Sequence, residues 1–176
     1  MTAAARNVEV KARISSIDEL LPRARAIAGQ AAQLIVQDDS FFACPHGRLK
    51  LRDFGDGRGE LIQYERADAA GPKTSTYLRS PTAAPGTLRE ALARALGPAG
   101  RVRKQRWLLL AGRTRIHLDR VEGLGDFLEL EVVLAKGEDE AAGLAEAQAL
   151  LARLGIEERQ LVRGAYVDLI AASMTR

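Results

Sequence analysis

The chain has 176 residues, 47% hydrophobic and 28% charged, with 26 Lys and Arg against 23 Asp and Glu for a formal net charge of +3. That profile belongs to a folded globular unit with its own core, and it excludes a disordered tail, a collagen-like fibre and, with Cys44 as the only cysteine, a disulfide scaffold. No run of about 18 apolar residues is present to cross a bilayer and Met1 to Arg13 lacks the apolar stretch of a secretory leader, so the sequence reads as a cytoplasmic protein of one domain over residues 1–176.

Alternation of apolar and polar residues marks a strand with two unlike faces, and it opens the chain. From Asn7 to Ile14 the even positions Val8, Val10, Ala12 and Ile14 are apolar, and the odd positions Asn7, Glu9, Lys11 and Arg13 are polar or charged. Ser16 to Gly29 then reads as a helix with a Ser/Asp cap region, and Pro22 is expected in its first turn. Gln33–Ala43, Gly47–Phe54, Glu60–Arg66 and Thr74–Ser80 follow as strands, separated by turn residues such as Pro45-His46-Gly47 and Ala70-Gly71-Pro72. Thr87–Leu96 reads as a second helix that stops at Gly97-Pro98. Val102–Leu110, Arg113–Asp119 and Leu128–Val132 are the last strands. Asp139–Leu154, with acids in its first turn and Gly155 behind it, is the third helix. With no linker or repeat between them, eight strands and three helices make one α+β unit.

Charge is distributed steeply. Arg101 to Arg120 holds seven basic residues and one acid, whereas Val121 to Gln160 holds ten acids and three basic residues. A charged strand face is ordinarily the solvated face of an antiparallel sheet. Here at least five strands carry two or more charges on one parity. A flat sheet would turn them to water; eight strands closed into a barrel would line a lumen with them. Burying so many charges requires water, a polyanion and a cation among them. Alternation alone fits both arrangements.

Asn7-Val8-Glu9-Val10-Lys11, followed by Arg13, resembles the E-x-E-x-K first-strand signature of the CYTH family, the triphosphate tunnel metalloenzymes. Gly47-Arg48-Leu49-Lys50-Leu51-Arg52, Lys104-Gln105-Arg106, Arg115-Ile116-His117-Leu118-Asp119, Leu128-Glu129-Leu130-Glu131 and the tail Ala165-Tyr166-Val167-Asp168 resemble further family segments in order. The resemblance covers almost the whole chain and leans toward the class IV adenylate cyclase branch. It implies an eight-stranded antiparallel β-barrel forming a triphosphate tunnel, with helices packed outside.

It also implies roles. A triphosphate carries about four negative charges, so converging basic groups must hold it, Arg by its planar fork and Lys as a point charge. On the lumen parity these are Lys11, Arg13, Lys50, Arg52, Arg66, Arg79, Lys104, Arg106 and Arg115. Mg²⁺ or Mn²⁺ prefers carboxylate oxygen, which assigns the metal to Glu9, Asp119, Glu129 and Glu131, and catalysis to Lys11, Glu129 and Glu131. His117 shares that parity, which fits either a phosphate contact or a simple polar strand residue. Two positions depart from the family pattern: Asn7 stands where the first Glu is expected, and Ala165 where a Ser often precedes the Tyr. The expected partner is a small-molecule triphosphate (ATP, thiamine triphosphate or inorganic triphosphate), with neither nucleic acid nor membrane. Three activities stay open: cyclisation of ATP to cyclic AMP and pyrophosphate, triphosphate hydrolysis, and binding without turnover. Trp107 and Val132 are the residues available for a homodimer contact.

Overall fold

The computed structural model describes residues 4–175, so the outermost residues of the expected 1–176 span lie outside the described residues. Every alternating run forms a strand: β1 (Ala5–Arg13), β2 (Gln33–Phe42), β3 (Arg48–Asp53), β4 (Gly59–Arg66), β5 (Lys73–Thr82), β6 (Pro98–Ala111), β7 (Thr114–Val121) and β8 (Gly125–Val133). All pairings are antiparallel, in the order β1-β5-β4-β3-β2-β6-β7-β8, and β8 returns to β1 to close the barrel. Closure leaves no free edge and gives each strand an outer and a lumenal face. In β1 both are buried without a break from Asn7 to Ala12. Val8, Val10 and Ala12 enter an outer apolar core, while Asn7, Glu9 and Lys11 line the lumen. A flat sheet with one wet face is therefore excluded. β6 begins earlier than expected, at Pro98, which pairs with Phe42; proline is tolerated at the first residue of a strand because little of the ladder needs its missing N–H.

Helices cover the apolar outer face. α1 (Ile17–Ala28) lies over β6 and β7, α2 (Pro85–Leu96) over β2 and β3, and α3 (Glu140–Leu154) over β1 and β8. The Ser16 side chain accepts the Asp18 N–H at 3.1 Å to start α1, and Asp139 does the same for Ala141 in α3 at 3.1 Å. Ile17, Leu20 and Ala24 of α1 and Ala147, Leu150, Leu151 and Leu154 of α3 pack on Val8, Val10, Ile116, Leu118, Leu128, Leu130 and Val132. Pro22, expected from the sequence in the first turn of α1, lies beyond it inside the helix. The helix continues because its apolar face is held on the barrel, which outweighs one missing backbone bond.

A second core closes one end of the barrel. Phe41, Val102, Val121 and Phe127 pack with Ala165, Tyr166 and Val167, the start of a fourth helix, α4 (Tyr166–Met174), absent from the expected elements. Its Asp168 side chain accepts the Ala165 N–H at 2.8 Å. Of the two residues named for a homodimer contact, only Trp107 keeps partial exposure. Val132 is fully buried beneath the helices, and Trp107 packs partly buried on the same core with the Arg120 guanidinium 5.6 Å from its ring centre.

Candidate functional site

The lumen encloses a cavity of about 270 Å³. Of the sequence-predicted residues, Glu9, Lys11, Lys50, Arg52, Arg66, Arg79, Lys104, Arg106, Arg115, Glu129 and Glu131 line it, drawn from seven strands. Strand register sets their order. Across β7, β8 and β1 one row reads His117, Glu129, Lys11 and the next Arg115, Glu131, Glu9. Acids thus lie among bases, with Glu131 and Glu9 side by side in the second row.

Each lumenal base meets a carboxylate. Lys11 Nζ stands 3.3 Å from Glu129 Oε1 and 4.0 Å from the centre of the Tyr166 ring. Arg106 donates to Asp119 through two nitrogens, both at 2.6 Å, and to Glu129 Oε2 at 2.7 Å. Arg52 grips Asp39 through two bonds of 2.8 and 2.7 Å, and Lys50 Nζ adds a third at 2.8 Å. Arg66 donates to Glu9, and Arg115 to Glu131 at 3.0 Å. Arg79 is half-exposed at the mouth, 3.8 Å from Glu60.

Burial and charge pull the titrations in opposite directions. Burial alone would raise Glu129, but Lys11 and Arg106 overcome it and hold this carboxyl well below the usual range. Glu131 also lies low, with His117 and Arg106 outweighing its burial. Glu9 goes the other way: burial raises it more than Arg66 lowers it. Lys104 falls to about 7, first through burial and then through the neighbouring Arg106 charge. His117 falls to about 4 for the same two reasons, so its imidazole is neutral at pH 7.

Two predicted residues stand elsewhere. Arg13 has the lumenal parity but lies at the strand end, where nothing confines it. It is exposed, donates to the Leu124 carbonyl at 2.8 Å, and stacks on Phe127 with 4.6 Å to the ring centre. Asp119 is fully buried behind the cavity wall. Both its oxygens are taken, Oδ2 additionally by Lys104 Nζ at 3.1 Å and by the Tyr166 hydroxyl at 2.9 Å. It fixes the bases that face the cavity from behind them.

Three lumenal residues carry more than the sequence disclosed. Asp39, 2% exposed, organises Lys50 and Arg52; its inward parity on β2 was the available signal. Tyr166 ties α4 to the site. His117 is 4% exposed, its Nδ1 has no hydrogen-bond partner, and its nearest acids are Glu131 at 3.8 Å and Glu129 at 4.0 Å. One ligand atom each from His117, Glu129 and Glu131 lie within 4.8 Å of one another. The Asn7 side-chain oxygen is also buried without a partner on this wall. Orphaned acceptors beside ionised carboxylates suit a hard divalent cation with borderline tolerance for nitrogen.

A closed antiparallel barrel with helices outside and a lumen of interleaved bases and acids is the architecture of the tunnel class expected from the sequence. The chain belongs to the CYTH domain family, which matches residues 5–166. Its structure superposes on the PH1012 protein of Pyrococcus horikoshii OT3 with a TM-score of 0.80 at 25% identity, covering 93% of this chain and 98% of that one. It is also similar to a provisionally assigned adenylate cyclase of Vibrio parahaemolyticus, with a TM-score of 0.76 at 18% identity over 97% of this chain and 99% of that one. HpAC1 of Hippeastrum, described with a dominant triphosphatase activity, gives a TM-score of 0.62 at 16% identity over 86% and 88% of the two chains. No curated protein matches the sequence. No helix among the described residues is long and apolar enough to cross a membrane.

Proposed function

We propose that this protein is a metal-dependent cytoplasmic enzyme that binds a triphosphate in its lumen and cleaves it, in the manner of an adenylate cyclase. The observation that carries this reading is the charge inventory of the lumen. Eight basic groups line it against five acids, and the buried Asp119 makes six, leaving a net charge of +2. A triphosphate of about four negative charges together with one divalent cation brings −2, so the assembled site is neutral. The apolar wall formed by Ile35, Phe54 and Leu108 gives an organic group a surface to lie on, which favours a nucleotide over inorganic triphosphate.

Glu129 and Glu131 are the residues that would hold the cation, with Glu9 beside them in register. A bound divalent cation would supply charge neutralisation and polarise phosphoryl oxygens. The chain's own residues do the rest. Arg52, Arg66, Arg106 and Arg115 grip phosphate oxygens through their planar forks, while Lys11, Lys50 and Lys104 add point charges that neutralise the transferring group. Positioned in this way, the substrate's 3′-hydroxyl attacks the α-phosphorus in line and pyrophosphate departs, leaving cyclic AMP. If water attacks the γ-phosphorus instead, orthophosphate and a diphosphate form. A second reading, binding without turnover, is favoured by Asn7, which brings an oxygen but no charge to the wall.

A product assay separates the three. Purified protein is given ATP, thiamine triphosphate or inorganic triphosphate with Mg²⁺ or Mn²⁺, beside a Glu131→Gln variant. Cyclic AMP and pyrophosphate that fall at least roughly a hundredfold in the variant are expected. Orthophosphate lost in the variant makes the protein a triphosphatase, and tight triphosphate binding without product makes it a binding module.

A further inference from the structure

Of the four carboxylates that the sequence assigns to the cation, the fold withdraws one behind the cavity wall and brings two against a histidine. Asp119 is consumed by Arg106, Lys104 and Tyr166. Glu9 is paired with Arg66, and Asn7, two residues before it on the same wall, adds no negative charge. Glu129 and Glu131 are paired as well, the first with Lys11 and Arg106 and the second with Arg115, but beside these two stands a donor of another kind. His117 projects from β7 directly across from Glu129 in the β7–β8 register. Its Nδ1 is buried and makes no hydrogen bond, an unfavourable state for a polar group withdrawn from water. The nitrogen lies 3.8 Å from a Glu131 oxygen and 4.0 Å from a Glu129 oxygen. Those separations suit donors facing one ion from different sides, and they exceed a hydrogen bond.

We infer that His117 Nδ1 is a direct metal ligand, completing a one-histidine, two-carboxylate set with Glu129 and Glu131, and that it turns the site toward first-row transition cations and away from Mg²⁺. Imidazole nitrogen is a borderline donor that Mg²⁺ binds poorly and Mn²⁺, Co²⁺ and Zn²⁺ accept, with affinity rising from Mn²⁺ through Co²⁺. The histidine also replaces part of the ligand field that Asn7 leaves weak. The nitrogen donor is neutral, so the charge balance of the lumen is unchanged by its use. This inference rests on the proposed function in that it names the cation for the same lumen, but it is testable without turnover.

The test is pulsed electron paramagnetic resonance of Mn²⁺ on the whole protein, with and without inorganic triphosphate. That ligand contains no nitrogen, so any nitrogen hyperfine coupling comes from the chain. Coupling is expected, altered in protein grown on histidine labelled with the heavier nitrogen isotope. A His46→Asn variant, changed in the exposed β2–β3 turn, keeps the coupling. In a His117→Asn variant, which retains an oxygen donor, the coupling disappears. Equilibrium dialysis then shows Co²⁺ affinity falling roughly tenfold or more while Mg²⁺ affinity stays within about threefold. Mn²⁺ that binds without histidine coupling, or that binds neither with nor without inorganic triphosphate, overturns the inference. Because the labelled wild-type protein carries the decisive signal, a variant that fails to fold does not remove the test. Triphosphate binding without nitrogen coupling sinks this inference and leaves the proposed function standing. Coupling without triphosphate binding supports the histidine ligand and sinks the proposed function.

Discussion

Burial decides the charge of Lys104 before any ligand arrives. Its amine is 6% exposed, and burial together with Arg106 brings it down to about 7 against the pull of Asp119. The unfolded chain, near the ordinary lysine value of about 10.4, then binds more protons than the folded one between pH 7 and 10. Stability from this group therefore rises with pH across that window. A triphosphate reverses the balance, because an adjacent polyanion favours the ammonium form. At pH 8, where the free Lys104 amine is mostly neutral, its share of the binding reaction is an uptake of close to one proton, about 0.9 for a group titrating at 7, whatever protons the phosphates themselves release. Calorimetry of inorganic triphosphate binding in buffers of different ionisation enthalpy measures this number. Lys104→Met should take up about 0.9 proton fewer than the wild-type protein, and equal uptake in both proteins would assign the proton to another group.

Helix α4 is the element whose contribution is most separable. Two anchors hold it over the closed end: the Tyr166 hydroxyl on Asp119, and Arg48 of β3, which donates to both oxygens of Asp168 at 2.8 Å. Gly100 admits it closely, since its φ of +128° and the Val167 side chain against it leave no room for a Cβ. The Arg48–Asp168 pair is partly solvated, with side-chain exposures of 26% and 43%, so its weight is about 1 kcal/mol. Arg48→Ala should accelerate hydrogen exchange of the amides in 166–174 roughly fivefold and leave β7 and β8 protected. Uniform acceleration across the barrel would make the pair part of the global fold and not a local latch. This helix was also the least legible element. The strands announce themselves because a barrel sets an apolar outer face against a charged lumenal one, which prints a period of two in β1, β3, β7 and β8. α4 spans little more than two turns, and what fixes it is a bond from Tyr166 to an aspartate 47 positions away. The same blindness covers the site. Parity placed Lys11, Lys50, Arg106 and Glu129 correctly, but could not show that Arg13 turns away at a strand end or that Asp119 spends its oxygens on bases. Nor does alternation distinguish His117 with a free nitrogen from a histidine already satisfied.

At the scale of the molecule, the barrel is a shell that holds opposite charges apart at fixed spacing while its stability comes from elsewhere. The apolar core lies outside the strands, beneath α1 and α3, so the lumen is free to be electrostatically unsatisfied. In the unliganded protein the bases neutralise themselves on the acids, and each such pair repays little after its desolvation. With Lys104 counted as the ammonium that a bound polyanion favours, the surplus is the net +2 of the eight bases over six acids. A cation entering alone raises it to +4, a triphosphate entering alone takes it to about −2, and only the two together bring it to zero. The expected behaviour is strong synergy with a ratio of one cation to one triphosphate. At concentrations a hundredfold above the dissociation constant the pair should stabilise the fold by about 2.7 kcal/mol, or roughly 5–10 °C in Tm for a chain of this size. Either component alone should give a small fraction of that shift. Thermal melts across a grid of Mn²⁺ and inorganic triphosphate concentrations read the synergy, and titration calorimetry reads the ratio. Two cations per triphosphate at saturation would leave a net +2 in the lumen and refute the neutral assembly, and full stabilisation in the presence of a chelator would refute the need for the cation.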